Sequence, residues 1–179
     1  MNSRLIAAAI AVAAIFFAPG AHAQSFINIL TGGTSGVYYP LGVAIGKIYS
    51  DKIPNVKTQV QATKASVENL ILLQQGRGEL AFTLGDSLKA AWEGDEEAGF
   101  KSKLDKLRVL GAIYPNYIQI VATSDSGIKT LADLTGKSLS VGAPKSGTEL
   151  NSRAILAAAG MTYIFVYSPA LRSASCSRG

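Results

Sequence analysis

Beyond its first two dozen residues the chain alternates short β-rich runs with longer stretches in which apolar positions recur every three or four residues. Residues 26–30, FINIL, read as a strand. Over 37–52, Val37, Leu41, Ile45 and Ile48 form a helical stripe. Pro40 falls in the first turn of that helix, where its missing N–H removes no bond. Residues 56–62 alternate, placing Val56, Thr58 and Val60 on one face of a second strand. A second helix over 66–75 carries Val67, Leu70, Ile71 and Gln74 as its stripe, with Ser66 as its cap and Gly76 as its stop. A third strand follows at 80–84, and a helix start at Gly85-Asp86.

A charged, glycine-interrupted insert at 93–106 leads to two more β-rich runs, 107–113 and 117–123. The pattern then repeats: a small helix at 129–134, a strand at 138–141, and a helix at 149–159 stopped by Gly160. Strands alternating with helices predict an α/β fold, a parallel sheet covered on both faces and doubly wound.

The two ends depart from this pattern. Arg4, an apolar run from Leu5 to Phe17, Pro19-Gly20 and then Ala21-His22-Ala23 read as a secretory signal peptide over 1–23, cleaved after Ala23. The expected address is therefore periplasmic. At the other end, residues 163–179, YIFVYSPALRSASCSRG, have no clean period. A second sheet with one confident strand has no core of its own, so this tail is expected to replace a lost continuation, for instance after a frameshift.

Charge and rare residues narrow the chemistry. Of the net +5, Arg4 belongs to the leader and Arg172 and Arg178 to the tail, which leaves +2 for the body. Its lysines are interspersed with acids, so no basic groove for nucleic acid is expected. His22 is the sole histidine and Cys176 the sole cysteine. A histidine-dependent triad, an imidazole or thiolate metal site and a disulfide framework are thereby excluded from the mature body. Gly142 and Gly147 have the spacing of a phosphate loop, but Thr148-Glu149 follows where Lys-Ser/Thr is required. Gly136-Lys137-Ser138 lacks the matching first glycine, since Leu131 stands there. The reading is of a protein that is not an enzyme, with no cofactor and no metal.

What remains is a recurrent corner. Thr31-Gly32-Gly33-Thr34-Ser35-Gly36, Thr63-Lys64-Ala65-Ser66 and Ser146-Gly147-Thr148 each join a strand to a helix with small and hydroxyl residues. Helix N-termini carry unsatisfied N–H groups and about half a positive charge, which favours an anion. In open α/β sheets ligands sit beyond the carboxyl ends of the strands, where these corners lie. Three corners aimed at one crevice would hold a carboxylate.

These residues resemble a known family, the TAXI subgroup of solute receptors for tripartite ATP-independent periplasmic (TRAP) transporters. The resemblance rests on TGGTSGVYYPLG at 31–42, ASVENLILL at 65–73, GELAFTLGD at 78–86 and GIKTLADLTGKSLSVGAPKSGTE at 127–149, and it covers 26–161. It implies a type II periplasmic-binding-protein-like fold of two lobes, with 24–123 as lobe one and 124–162 as the start of an incomplete lobe two. It implies capture of a small carboxylate, an amino acid such as glutamate or an organic acid, for delivery to a TRAP membrane permease. By position, Gly33, Thr34, Ser35, Gly36 and Tyr38 would line the cleft with Ser66, Asn69 and Asp86, and Ser146, Gly147 and Thr148 would close it from the second lobe. Asp86 would accept an ammonium group, and Lys64 would add a cationic contact. A ligand-binding sensor module of the same fold is the alternative role. Receptors of the family are roughly twice as long as the mature chain, so an exposed edge or apolar patch, and weak or no binding by the 179-residue product, are expected.

Overall fold

The computed structural model describes residues 24–161. The leader assigned to 1–23 and the tail at 163–179 lie outside the described residues. Strand β1 (Ser25–Leu30) is followed by helix α1 (Tyr38–Lys52), β2 (Val56–Gln61), α2 (Ser66–Gln74), the two-residue β3 (Leu80–Ala81) and α3 (Gly85–Glu93). A 3₁₀ turn at Leu131–Leu134 and helix α4 (Gly147–Ala158) come last. Each of these lies within one to three residues of the boundary expected from the pattern.

The sheet has the order β2-β1-β3, with both neighbours parallel to β1. Parallel neighbours need crossovers, and α1 and α2 supply them. Since β2 and β3 flank β1 on opposite sides, right-handed crossovers place the two helices on opposite faces. The strand order therefore reverses at β1.

Val56, Thr58 and Val60 are the half-buried set of β2, as the alternation predicts. The side of α1 turned toward the sheet differs from the expected stripe. Val37 and Ile48 are exposed, and the buried residues of α1 are Gly42 and Gly46. Their small size lets the helix backbone approach the strands. A Cβ at Gly42 would stand 2.5 Å from Thr31 Cγ2, and one at Gly46 2.9 Å from Thr58 Oγ1. Thr58 Oγ1 also donates to the Gly46 carbonyl at 3.1 Å.

Away from that helix, Val67, Leu70, Ala91, Phe100, Leu104 and Leu107 form the core cluster. Each large side chain buried there contributes about 1.5–3 kcal/mol. The insert after α3 is thus not a plain solvated loop, because Phe100, 1% exposed, anchors it beneath α2 and α3. Gly94 makes the turn possible: its φ is +74°, and a Cβ would stand 2.7 Å from the Lys103 backbone nitrogen.

The runs 107–113, 117–123 and 138–141 join no ladder among the described residues. They have strand composition, but a strand exists only where another is placed to bond with it, and that condition is non-local. Val109, Leu110 and Val121 are consequently exposed. Beyond β3 the described sheet has no further strand.

Candidate functional site

The reversal of strand order at β1 opens a crevice beyond its carboxyl end, between the loops that follow β1 and β3. The loop after β1 begins on Thr31, whose N–H and Oγ1 both donate to the Gln61 carbonyl, at 3.0 and 2.8 Å. Residues 33–36 then turn on a bond from Gly36 N–H to the Gly33 carbonyl at 2.9 Å, and Gly33, Thr34, Ser35 and Gly36 stay exposed. Tyr38 opens α1 with its ring stacked on Phe82 from the loop after β3, centroids 5.2 Å apart and planes at 25°. Burial is the main cause that pushes the Tyr38 phenol up to about 12; the nearby Tyr114 phenol adds to it, the Ser66 hydroxyl opposes it and Asp86 adds a little.

The loop after β2 carries the most unusual backbone of the site. Ala65 sits at φ 72° and ψ −152°, a region that glycine alone occupies readily. That conformation lets the chain enter α2 directly beside the first corner, where a Cβ built on Gly32 would lie 3.3 Å from the Ala65 Cβ. Ser66 is not the helix cap expected of it; the cap residue is Ala65, with no side-chain bond. The buried Ser66 hydroxyl instead accepts the Leu84 N–H at 3.1 Å, tying α2 to the loop after β3.

Asn69 is fully buried and its amide group is fully engaged. Nδ2 donates to the carbonyls of Thr31 at 2.6 Å and Phe82 at 2.8 Å, while Oδ1 accepts from Thr63 Oγ1 at 2.6 Å. The residue joins the ends of β1 and β3 to the loop after β2, so it shapes the crevice from beneath. Asp86, in the first turn of α3, is exposed, and its Oδ1 accepts the Ser87 N–H at 2.5 Å. The Lys64 backbone N–H donates to Glu68 Oε2 at 2.7 Å, which fixes the loop but not the lysine's side chain.

The third corner meets the second. Ser146 caps α4 by accepting the Glu149 N–H at 3.1 Å, and the Lys145 carbonyl accepts the Glu68 N–H at 3.3 Å. Gly147 is pressed against the second corner: a Cβ there would stand 2.5 Å from Leu84 Cδ1 and 2.7 Å from Ser66 Oγ. Thr148 is exposed. The N-termini of α2, α3 and α4 thus gather around Ser66 and Leu84, with Tyr38 at the head of α1 beside them.

From this cluster a groove of about 990 Å³ runs along β3, with Tyr38, Leu84, Asp86, Tyr114 and Asn151 among its walls. Of the sequence-predicted residues, Tyr38 and Asp86 line it. Ser66, Gly147 and Asn69 are packed behind, and Gly33, Thr34, Ser35, Gly36 and Thr148 reach solvent. Phe82, Leu84 and Tyr114 escape sequence reasoning because nothing local distinguishes them from other β-rich residues. No cluster of three or more metal-ligating side chains occurs among the described residues.

A parallel α/β layer whose helix N-termini gather beyond the carboxyl ends of its strands has the frame of a ligand-binding receptor lobe. The model of the NMT1-like family matches residues 29–174, and the chain belongs to that family, a periplasmic-binding-like group related to solute receptors. The match runs past Met161, where the resemblance of the motifs ends, into the tail.

Proposed function

We propose that the protein captures a small carboxylate-bearing solute, an amino acid such as glutamate or an organic acid, as the TAXI-type receptor of a TRAP transporter. It acts in the periplasm, reached through its leader, and hands its ligand to the membrane permease. Its role is binding, without catalysis, metal, cofactor or nucleic acid. The observation that supports this reading is the meeting of three helix N-termini around Ser66 and Leu84. Each contributes a partial positive charge, so together they favour an anion that one alone would hold weakly. Asp86 at the groove wall complements them by accepting an ammonium group, which favours an amino acid over a simple dicarboxylate.

Thermal unfolding in the presence of glutamate, 2-oxoglutarate and the diamide of glutamate, which keeps the ammonium but has no carboxylate, tests the reading. For weak binding, with a Kd about 1 mM, ligand at ten times that concentration stabilises by about 1.4 kcal/mol. The acids are expected to raise Tm and the diamide to leave it unchanged. Asp86→Asn should remove the glutamate effect and preserve that of 2-oxoglutarate. If the diamide stabilises as well as the acids, the carboxylate reading fails.

A further inference from the structure

Residues 109–123, VLGAIYPNYIQIVAT, contain no charged side chain. Among the described residues, no hydrogen bond engages a backbone group of residues 109–122. Leu110, Tyr117 and Val121 are 78%, 76% and 89% exposed, and Ile118 and Ile120 more than half. The apolar side chains of this stretch present on the order of 1,000 Å², beyond the roughly 300–600 Å² of the largest patch on a typical monomer. A standard interface takes about 800 Å² from each partner. Unpaired strand backbone with apolar flanks is a template for another strand.

We propose that the strand it takes is its own: two copies pair antiparallel through residues 117–121 about a two-fold axis at Gln119, which faces its own copy. Three features favour a second copy. An uncharged surface meets itself without like-charge repulsion. An isologous contact completes the backbone bonds of both copies at once and closes at two. Pro115, which has no N–H to give a ladder, lies outside the paired segment and sets its start. In this register Ile118 of one copy faces Ile120 of the other on both sides of the axis.

Sedimentation velocity of the purified chain across a concentration series tests the pairing. A monomer–dimer equilibrium is expected. Ile118→Lys and Ile120→Glu should each weaken the dimer about tenfold or more, by burying an unpaired charge. Both positions are exposed in the single chain, and circular dichroism checks that each variant is folded. An equimolar mixture of the two variants should recover dimerisation, because the new lysine then faces the new glutamate. A monomer at all concentrations would overturn the proposal. So would a dimer indifferent to both substitutions, a mixture no stronger than its components, or open-ended assembly. Hydrogen exchange gives a second readout: protection of residues 117–121 must rise with concentration, and constant protection in a monomer means that the chain covers the segment itself.

Discussion

Replacing Gly147 by alanine probes the junction of the third corner with the second and with Leu84. The new Cβ would stand 2.5 Å from Leu84 Cδ1, 3.0 Å from Leu84 Cγ and 2.7 Å from Ser66 Oγ. Comfortable carbon contacts begin at about 3.5 Å, so Leu84 must retreat by about 1 Å. Ser66 has little freedom to follow, because its oxygen is held by the Leu84 N–H. Overpacking of this kind costs about 1–3 kcal/mol. Helix propensity alone predicts the opposite sign, since alanine outranks glycine by about 1 kcal/mol in a helix interior. The packed junction should win, leaving a net loss of about 1–2 kcal/mol. Urea denaturation followed by the fluorescence of Trp92, the sole tryptophan, measures it. In a Leu84→Ala background the cost should shrink, giving a coupling of about 0.5 kcal/mol or more. A neutral or stabilising Gly147→Ala, or strict additivity with Leu84→Ala, would refute the packing of α4 against Ser66 and Leu84.

Asn69→Asp turns a buried donor toward two carbonyls into an ionised acceptor, and should cost about 3 kcal/mol or more at neutral pH. Burial raises the pKa of the new carboxyl in the folded state, so stability should recover as pH falls and the acid regains a proton to donate; a pH series of urea midpoints checks this. Ala65→Gly releases a conformation worth about 1–3 kcal/mol of strain, against up to about 1 kcal/mol of added chain entropy, so thermal unfolding should show a gain. Ultraviolet titration should show one phenol ionising near 12 that disappears in Tyr38→Phe. Because that pKa is raised on folding, its stabilisation is complete below pH 10 and is lost as pH climbs through 12.

The order β1–α1–β2–α2–β3–α3 was legible because the periods of two and of three to four residues are local, and turn residues mark their limits. The half-buried face of β2 followed from alternation alone. The close approach of α1 did not, because the apolar stripe points to Val37 and Ile48 while contact with the sheet is made through Gly42 and Gly46. Composition marked 107–123 as β-rich, yet pairing depends on a neighbour that no local pattern reveals. The three hydroxyl corners were visible as repeats, and the structure brings the second and third together at Ser66. Their division of labour was hidden: Ser66 bonds to a distant N–H instead of capping its helix, Asn69 spends its amide on strand ends, and strain falls on an alanine that carries no sequence signal.

Amide chemical-shift mapping by NMR during titration with glutamate locates the bound carboxylate residue by residue. The largest shifts are expected to fall together on Gly33 to Gly36, Ser66 and Val67, Leu84 to Asp86, and Gly147 and Thr148, and the diamide should not reproduce them. Shifts confined to one corner, or centred elsewhere on the chain, would contradict a shared carboxylate site.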